Sequence, residues 1–331
     1  MIKKDHPDIK FGKTGIILIN LGTPDSTSWW DIRKYLNEFL SDRRVIEVNP
    51  ILWKIILNLF ILTFRPSKTA HAYKQIWFNE TNESPLRYFT RNQAEKLKAK
   101  LGSKNVIVDF AMRYGNPSIK SKLNKLKEQG CENIIVLPLY PQYAAATTAT
   151  VCDEVYRTLM GMRWQPSLQI IPHYESEPLY IDALVKSIEK KIQSIKWKPD
   201  LILASYHGIP KKYFDKGDPY QCYCQKTTRL IKEKFSTFDI QTTFQSRFGP
   251  QEWLKPYTDK TLEILPSRGI KKLLVICPGF ASDCVETLEE INIQGKESFI
   301  KNGGEKFDLI PCLNDNSNHI SLFEHVVKKY L

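Results

Sequence analysis

A six-residue pattern occurs twice in this chain and restricts the folds open to it. Phe110-Ala111-Met112-Arg113-Tyr114-Gly115 returns as Phe244-Gln245-Ser246-Arg247-Phe248-Gly249. About twenty residues beyond each copy lies an apolar run with a proline near its end, Asn133-Ile134-Ile135-Val136-Leu137-Pro138 and Lys272-Leu273-Leu274-Val275-Ile276-Cys277-Pro278. Ahead of each copy lies another such run, Gly15 to Gly22 and Leu201 to Gly208. Self-similarity of this kind describes one strand-and-helix unit built twice. Two similar α/β halves facing each other leave a cleft between them, the usual place for a small ligand.

Eight strand-like runs can be read, near 15–20, 106–111, 133–138 and 167–172, then near 200–206, 240–245, 271–277 and 306–311. Amphipathic helical patterns fill gaps between them, among them 90–101, 118–129, 176–195, 222–235, 252–265 and 283–301. Alternating strands and helices predict an α/β protein with two domains, each a four-stranded parallel sheet flanked by helices. A length of 331 residues is enough for two such domains, each with its own core. The expected division is 13–172 and 173–316, with Lys196-Trp197-Lys198-Pro199 as the linker. A last helix, 317–331, is free to cover either domain, including a return onto the first.

The repeat is broken once. Some eighty-five residues separate the first two strands of the first half, against about thirty-five in the second. The excess holds an insertion at about 48–68, whose run 51–64 is apolar nearly all round yet carries Lys54 and Asn58. Fourteen helical residues span roughly 21 Å, short of the roughly 30 Å of a bilayer core, so the segment does not cross a membrane. A buried core helix is one reading. A lip over the cleft that dips into an anionic membrane surface is the other, favoured because the second half forms without the segment and because Lys54, Arg65 and Lys68 flank it.

The net charge of +12 suits an anionic partner, but no helix-turn-helix, RRM or zinc-finger pattern accompanies it, so nucleic acid is not expected. Seven scattered cysteines without a C-x-x-C pair argue for a reducing compartment and against a disulfide framework. Met1 to Lys13 lacks the apolar core of a signal peptide. The expected location is the cytoplasm, with peripheral contact at the inner face of the cytoplasmic membrane. Neither Gly-x-Gly-x-x-Gly nor a Walker loop is present, so no nucleotide is expected.

Ligands of open parallel sheets bind beyond the C-terminal ends of the strands. His207 follows the run 201–206 directly, and Glu286 lies on the helix entered after 271–277. Asp283, Glu286 and Glu290 are spaced i, i+3, i+7, which on an α-helix places three carboxylates on one face. A histidine beside carboxylates can take protons and hold a divalent cation. A hydrogen-bonded structural histidine and a solvated acidic face are the plainer alternatives.

At these residues the chain resembles the ferrochelatases. The likeness is carried by Gly15 to Asp25, Leu139-Tyr140-Pro141-Gln142-Tyr143, Ser205-Tyr206-His207-Gly208-Ile209-Pro210, Gly217-Asp218-Pro219-Tyr220 and the stretch Pro278 to Glu290. The family inserts ferrous iron into protoporphyrin IX to give protohaem, the last step of haem synthesis. The resemblance implies a chelatase-like fold of two Rossmann-like domains around a porphyrin cleft. It assigns His207 and Glu286 as the catalytic and metal-handling pair, with Asp283 and Glu290 behind them as a proton or iron track. It assigns Leu21, Arg65, Tyr73, Ser84, Arg113, Tyr114, Tyr140, Trp253 and Phe280 to porphyrin binding, with Arg65, Tyr73 and Ser84 at the propionates. Arg113 also admits a plain ion pair, since Arg247 repeats it; Trp253 and Phe280 admit ordinary packing.

Cys284 stands where many relatives carry histidine. Some relatives ligate a [2Fe–2S] cluster through a C-terminal extension plus a cysteine in the segment matching 143–147. This chain reads Tyr143-Ala144-Ala145-Ala146-Thr147 there and has no cysteine after Cys312, so no such cluster is expected and ferrous iron enters only as substrate. Three alternatives remain at this point: a coproporphyrin-type enzyme, a cobalt or nickel chelatase, and a porphyrin or metal carrier without catalysis.

Overall fold

The computed structural model describes residues 9–331; residues 1–8, part of the stretch expected to lack a signal-peptide core, lie outside the described residues. All eight expected runs are strands: β1 (Lys13–Thr23), β2 (Val106–Gly115), β3 (Cys131–Pro138), β4 (Ser167–Ile170), β5 (Leu201–His207), β6 (Ile240–Gln245), β7 (Lys272–Ile276) and β8 (Lys306–Ile310). They form two four-stranded parallel sheets of identical order, β2-β1-β3-β4 and β6-β5-β7-β8. Central strands covered on both faces need apolar side chains at consecutive positions, which is why Ile16 to Ile19 and Leu201 to Ala204 are continuous runs and are buried throughout.

The halves do not keep separate cores, contrary to expectation. One cluster holds Ile16 and Leu18 of β1 together with Ile202 and Ala204 of β5. Leu97, Leu184 and Phe323 join it from helices Pro85–Leu101, Pro178–Ser194 and Ser317–Lys328. These helices are packed between the sheets, and the last of them touches both of the others, so it seals the seam. The alternate residues Ile17 and Ile19 turn to an outer core with Leu123 and Leu126, as the two-residue period of a strand requires.

His319 of the Ser317–Lys328 helix is fully buried and donates Nδ1–H to Asn314 O at 2.6 Å. Burial drives its pKa down from 6.5 to about 4. The unfolded chain therefore binds a proton below pH 6.5 that the folded chain refuses until about pH 4, and stability falls as the medium is acidified through that window. Between pH 7 and pH 5 the loss from this group is on the order of 2 kcal/mol. Urea unfolding at the two pH values, compared with His319→Gln, checks it: the variant is expected to lack that increment.

The insertion is longer than expected. An α-helix Pro50–Ile56, a π-turn Leu57–Ile61 and an α-helix Leu62–Ile76 run on from one another, and Pro66 lies inside the last. Asn49 starts the run, its side chain accepting from Ile51 N and Leu52 N, with Pro50 at the first position where its missing N–H is not needed. The core-helix reading of 51–64 fails. Leu57 and Leu62 are buried, but Ile51 and Phe64 are 76% and 72% exposed, and Leu52, Ile55, Leu59 and Phe60 are exposed as well. Among the described residues no helix is long and apolar enough to cross a membrane.

Candidate active site

A hollow opens between the halves at the C-terminal ends of the strands. The end of β1 supplies Asn20, Leu21 and Gly22, the loop after β3 supplies Leu139 and Tyr140, and β5 supplies His207. The loop after β7 adds Phe280, and the helix beyond it adds Glu286. His207 and Glu286 thus share one hollow although 79 residues separate them (286 − 207). Gly22 has φ +122°, and a Cβ there would stand 1.8 Å from Tyr114 O of the neighbouring strand, so the close approach of β1 and β2 beside the cavity requires glycine.

His207 Nδ1 lies 2.7 Å from Gly208 O. A carbonyl only accepts, so Nδ1 carries the proton and Nε2 of the neutral ring keeps a lone pair. Nε2 has no hydrogen-bond partner among the described residues. Gly208 N–H in turn donates to Gln245 O at 2.8 Å. A Cβ at Gly208 would meet Gln245 O at 2.9 Å and the Trp253 ring at 3.3 Å. Trp253 is held by Nε1 donating to Phe248 O at 3.0 Å. It braces the turn behind His207 and is not part of the cavity lining.

Glu286 opens a π-helix, Glu286–Gly295, where an α-helix was expected. Glu290 and Gln294 follow Glu286 on the same π-helix, whose wider turn changes the α-helical spacing of its faces. Glu290 and Gln294 line a second, polar cavity that Glu286 does not reach. Glu290 accepts from Ser246 N at 2.8 Å, Ser246 Oγ at 2.5 Å and Gln245 Nε2 at 3.3 Å. Ser246 holds φ +66°, an uncommon backbone state for serine, to present both donors. Burial pushes the Glu290 carboxyl up; the Ser246 hydrogen bond and His207 pull it down, and Glu286 pushes it up again.

Asp283 departs from the expected acidic face. It precedes the π-helix, is buried, and lines neither cavity. Its carboxylate accepts from Thr287 Oγ1 at 3.0 Å, Cys312 N at 3.2 Å and Asn314 Nδ2 at 2.7 Å. The i, i+3, i+7 spacing has no single-face meaning here because the chain between 283 and 290 is not an α-helix.

Of the expected porphyrin contacts, Leu21, Tyr73, Ser84, Tyr140 and Phe280 line the main cavity. Burial and the nearby Glu286 carboxylate both hold the Tyr73 phenol protonated. Ser84 caps the Pro85–Leu101 helix by accepting from Arg87 N at 3.2 Å, so the positive end of that helix faces the hollow. The Tyr140 hydroxyl is buried without a hydrogen-bond partner among the described residues. Arg65 lies outside the lining, its guanidinium 4.6 Å from the centre of the Phe248 ring. Burial lowers its basicity while Glu286 raises it, and it forms no ion pair among the described residues. Arg113 and Tyr114 lie behind the wall: Arg113 pairs with Asp42 at 2.5 Å and donates to Thr150 O, and Tyr114 OH donates to the same Asp42 oxygen at 2.9 Å. Of the two readings of Arg113, the ion pair is the observed one.

Tyr35, Gln142 and Tyr220 also line the cavity and were not singled out from the sequence. Gln142 and Tyr220 fall inside two of the stretches that carry the likeness, where nothing local marks them as lining residues, while Tyr35 lies outside those stretches; only the packing brings the three together. Cys284 lines the cavity too, and burial followed by the adjacent Glu286 raises its pKa, which keeps it a thiol and a poor metal ligand.

The chain is similar to known proteins along nearly its whole length. The family described as Ferrochelatase matches residues 13–331. A ferrochelatase of Allorhizobium ampelinum is 54% identical over 333 aligned positions, covering 100% of this chain and 97% of the relative. A ferrochelatase of Rhizobium meliloti is 55% identical, covering 99% and 97%. Among solved structures, SirB from Bacillus subtilis with Fe3+ superposes with a TM-score of 0.57 at 12% identity, covering 96% of this chain and 95% of that one. CbiX, described as the terminal enzyme of sirohaem biosynthesis in denitrifying bacteria, gives 0.53 at 11%, covering 96% and 99%. At those identities the likeness establishes the two-domain chelatase fold alone. With the full-length sequence match and the shared hollow of His207 and Glu286, the chain belongs to the ferrochelatase family.

Proposed function

We propose that this protein inserts ferrous iron into protoporphyrin IX, giving protohaem. The observation that carries the reading is the joint presence of His207 and Glu286 in one hollow whose remaining walls are largely aromatic and aliphatic. Insertion exchanges two pyrrole N–H protons for one dication. A neutral imidazole with a bare Nε2 accepts the first proton. The Glu286 carboxylate meets the cation or the second proton, and Glu290, four residues on in the same π-helix, passes it toward the polar second cavity. Binding energy from the flat walls is available to bend the ring and expose its nitrogen lone pairs.

Protoporphyrin is preferred over coproporphyrin because the described lining contains no lysine or arginine. Two propionates at the mouth, met by Arg65, Tyr73 and the Ser84 helix end, suit that wall; four do not. Iron enters as substrate. Anaerobic assay of the purified protein with ferrous iron and protoporphyrin tests the reading. Appearance of the haem spectrum is expected, and a rate no faster than without protein refutes it.

The protein acts in the cytoplasm as a peripheral membrane protein. The exposed row Ile51, Leu52, Ile55, Leu59, Phe60 and Phe64 beside Lys54 supports this. Burying one such side chain is worth about 1.5–3 kcal/mol, so Phe60→Asp with Phe64→Asp is expected to weaken binding to anionic liposomes at least about tenfold in flotation. Equal flotation of variant and wild type contradicts the lip as the contact.

A further inference from the structure

Asp283 and Asn314 face each other as a closed pair. Asn314 Nδ2 donates to Asp283 Oδ2 at 2.7 Å, and Asp283 N donates back to Asn314 Oδ1 at 2.8 Å. The other carboxylate oxygen, Oδ1, accepts from Thr287 Oγ1, which itself accepts from Cys284 N at 3.1 Å. The first turn of the π-helix, with Glu286 between Cys284 and Thr287, is tied at both ends to one carboxylate. Asn314 sits at φ +47°, a state asparagine and aspartate enter more readily than most residues.

The tie reaches the other half of the protein. Gln93, fully buried on the Pro85–Leu101 helix, donates Nε2 to Asn314 O at 2.9 Å, Ser282 Oγ at 3.0 Å and Ala281 O at 3.1 Å. Further along the same helix, Lys96 pairs with Asp315 and Lys100 bonds Ser321. Gln93 lines neither of the two cavities that adjoin Glu286 and Glu290, and Asp283 reaches neither.

We propose that Gln93 and Asn314 are positioning residues for metal insertion: they lock Asp283, and through it the Glu286 turn, against the first half, and Asp283 carries neither protons nor iron. The inference rests on the metal-insertion reading above. It is separable from that reading because wild-type turnover tests the reading alone.

The test is a swap that keeps every hydrogen bond and moves the charge. In Asp283→Asn two amide donors meet; in Asn314→Asp two carboxylates meet. The double variant restores one donor against one acceptor, with the new amide oxygen at position 283 still accepting from Thr287 and Cys312. Each single change is expected to lower kcat by about tenfold or more, with the protoporphyrin KM changed much less. The double variant is expected to recover kcat to within a few fold of wild type. A double variant with restored Tm that stays as slow as Asp283→Asn overturns the proposal, because the charge at 283 itself is then used. Gln93→Met supplies the second reading, since it leaves Asp283 charged. Lowered kcat is expected, and an unchanged kcat overturns the proposal.

Discussion

His207→Ala is expected to lower iron insertion by about 10²- to 10⁴-fold while protoporphyrin still binds, the range spanned by loss of a positioned general base. The imidazole occupies one point in a wall built by many residues, so its removal takes the proposed proton acceptor and little binding area. His207→Asn is expected to be nearly as slow, because an amide does not take up a proton from a pyrrole at neutral pH. Titrating protoporphyrin fluorescence against each variant, beside steady-state turnover, separates the effects. A loss confined to KM would mean that His207 only holds the ring.

Gly22→Ala is expected to cost on the order of 4 kcal/mol or more of folding stability, a larger loss than acidification takes from His319. The added methyl group would stand 1.8 Å from a backbone carbonyl at Tyr114, and neither β1 nor β2 can yield without breaking the pairing Gly22–Tyr114. The positive φ adds a further penalty for any residue with a Cβ. Since Gly22 also lines the cavity, the variant that does fold is expected to bind protoporphyrin poorly. Thermal unfolding checks the first effect, and a Tm within a few degrees of wild type would contradict it.

Much of this architecture was legible because it is written twice. The apolar runs of the two halves became strands in the same order in both sheets, and the histidine directly after β5 and the glutamate after β7 both met at the strand ends. What sequence could not supply was partner choice at long range. Asp42 and Thr150, which claim Arg113, lie 71 and 37 residues from it, and nothing local distinguishes that pair from a ligand contact. The acidic face was misread for a different reason. An α-helical period was applied to a segment that winds as a π-helix and to an aspartate ahead of it, whose partner Asn314 comes 31 residues later. The separate cores failed because the helices between the sheets serve both, as Phe323 and Leu97 do.

The proposed function requires His207 and Glu286 to act on one tetrapyrrole seated in one hollow. Its most direct measurement is a single turnover: protein loaded with protoporphyrin, mixed anaerobically with ferrous iron and followed by visible absorption. Glu286→Gln is expected to show the wild-type spectrum of bound porphyrin and then convert it to haem at least about a hundredfold more slowly. Conversion at the wild-type rate by both Glu286→Gln and His207→Ala would contradict the account.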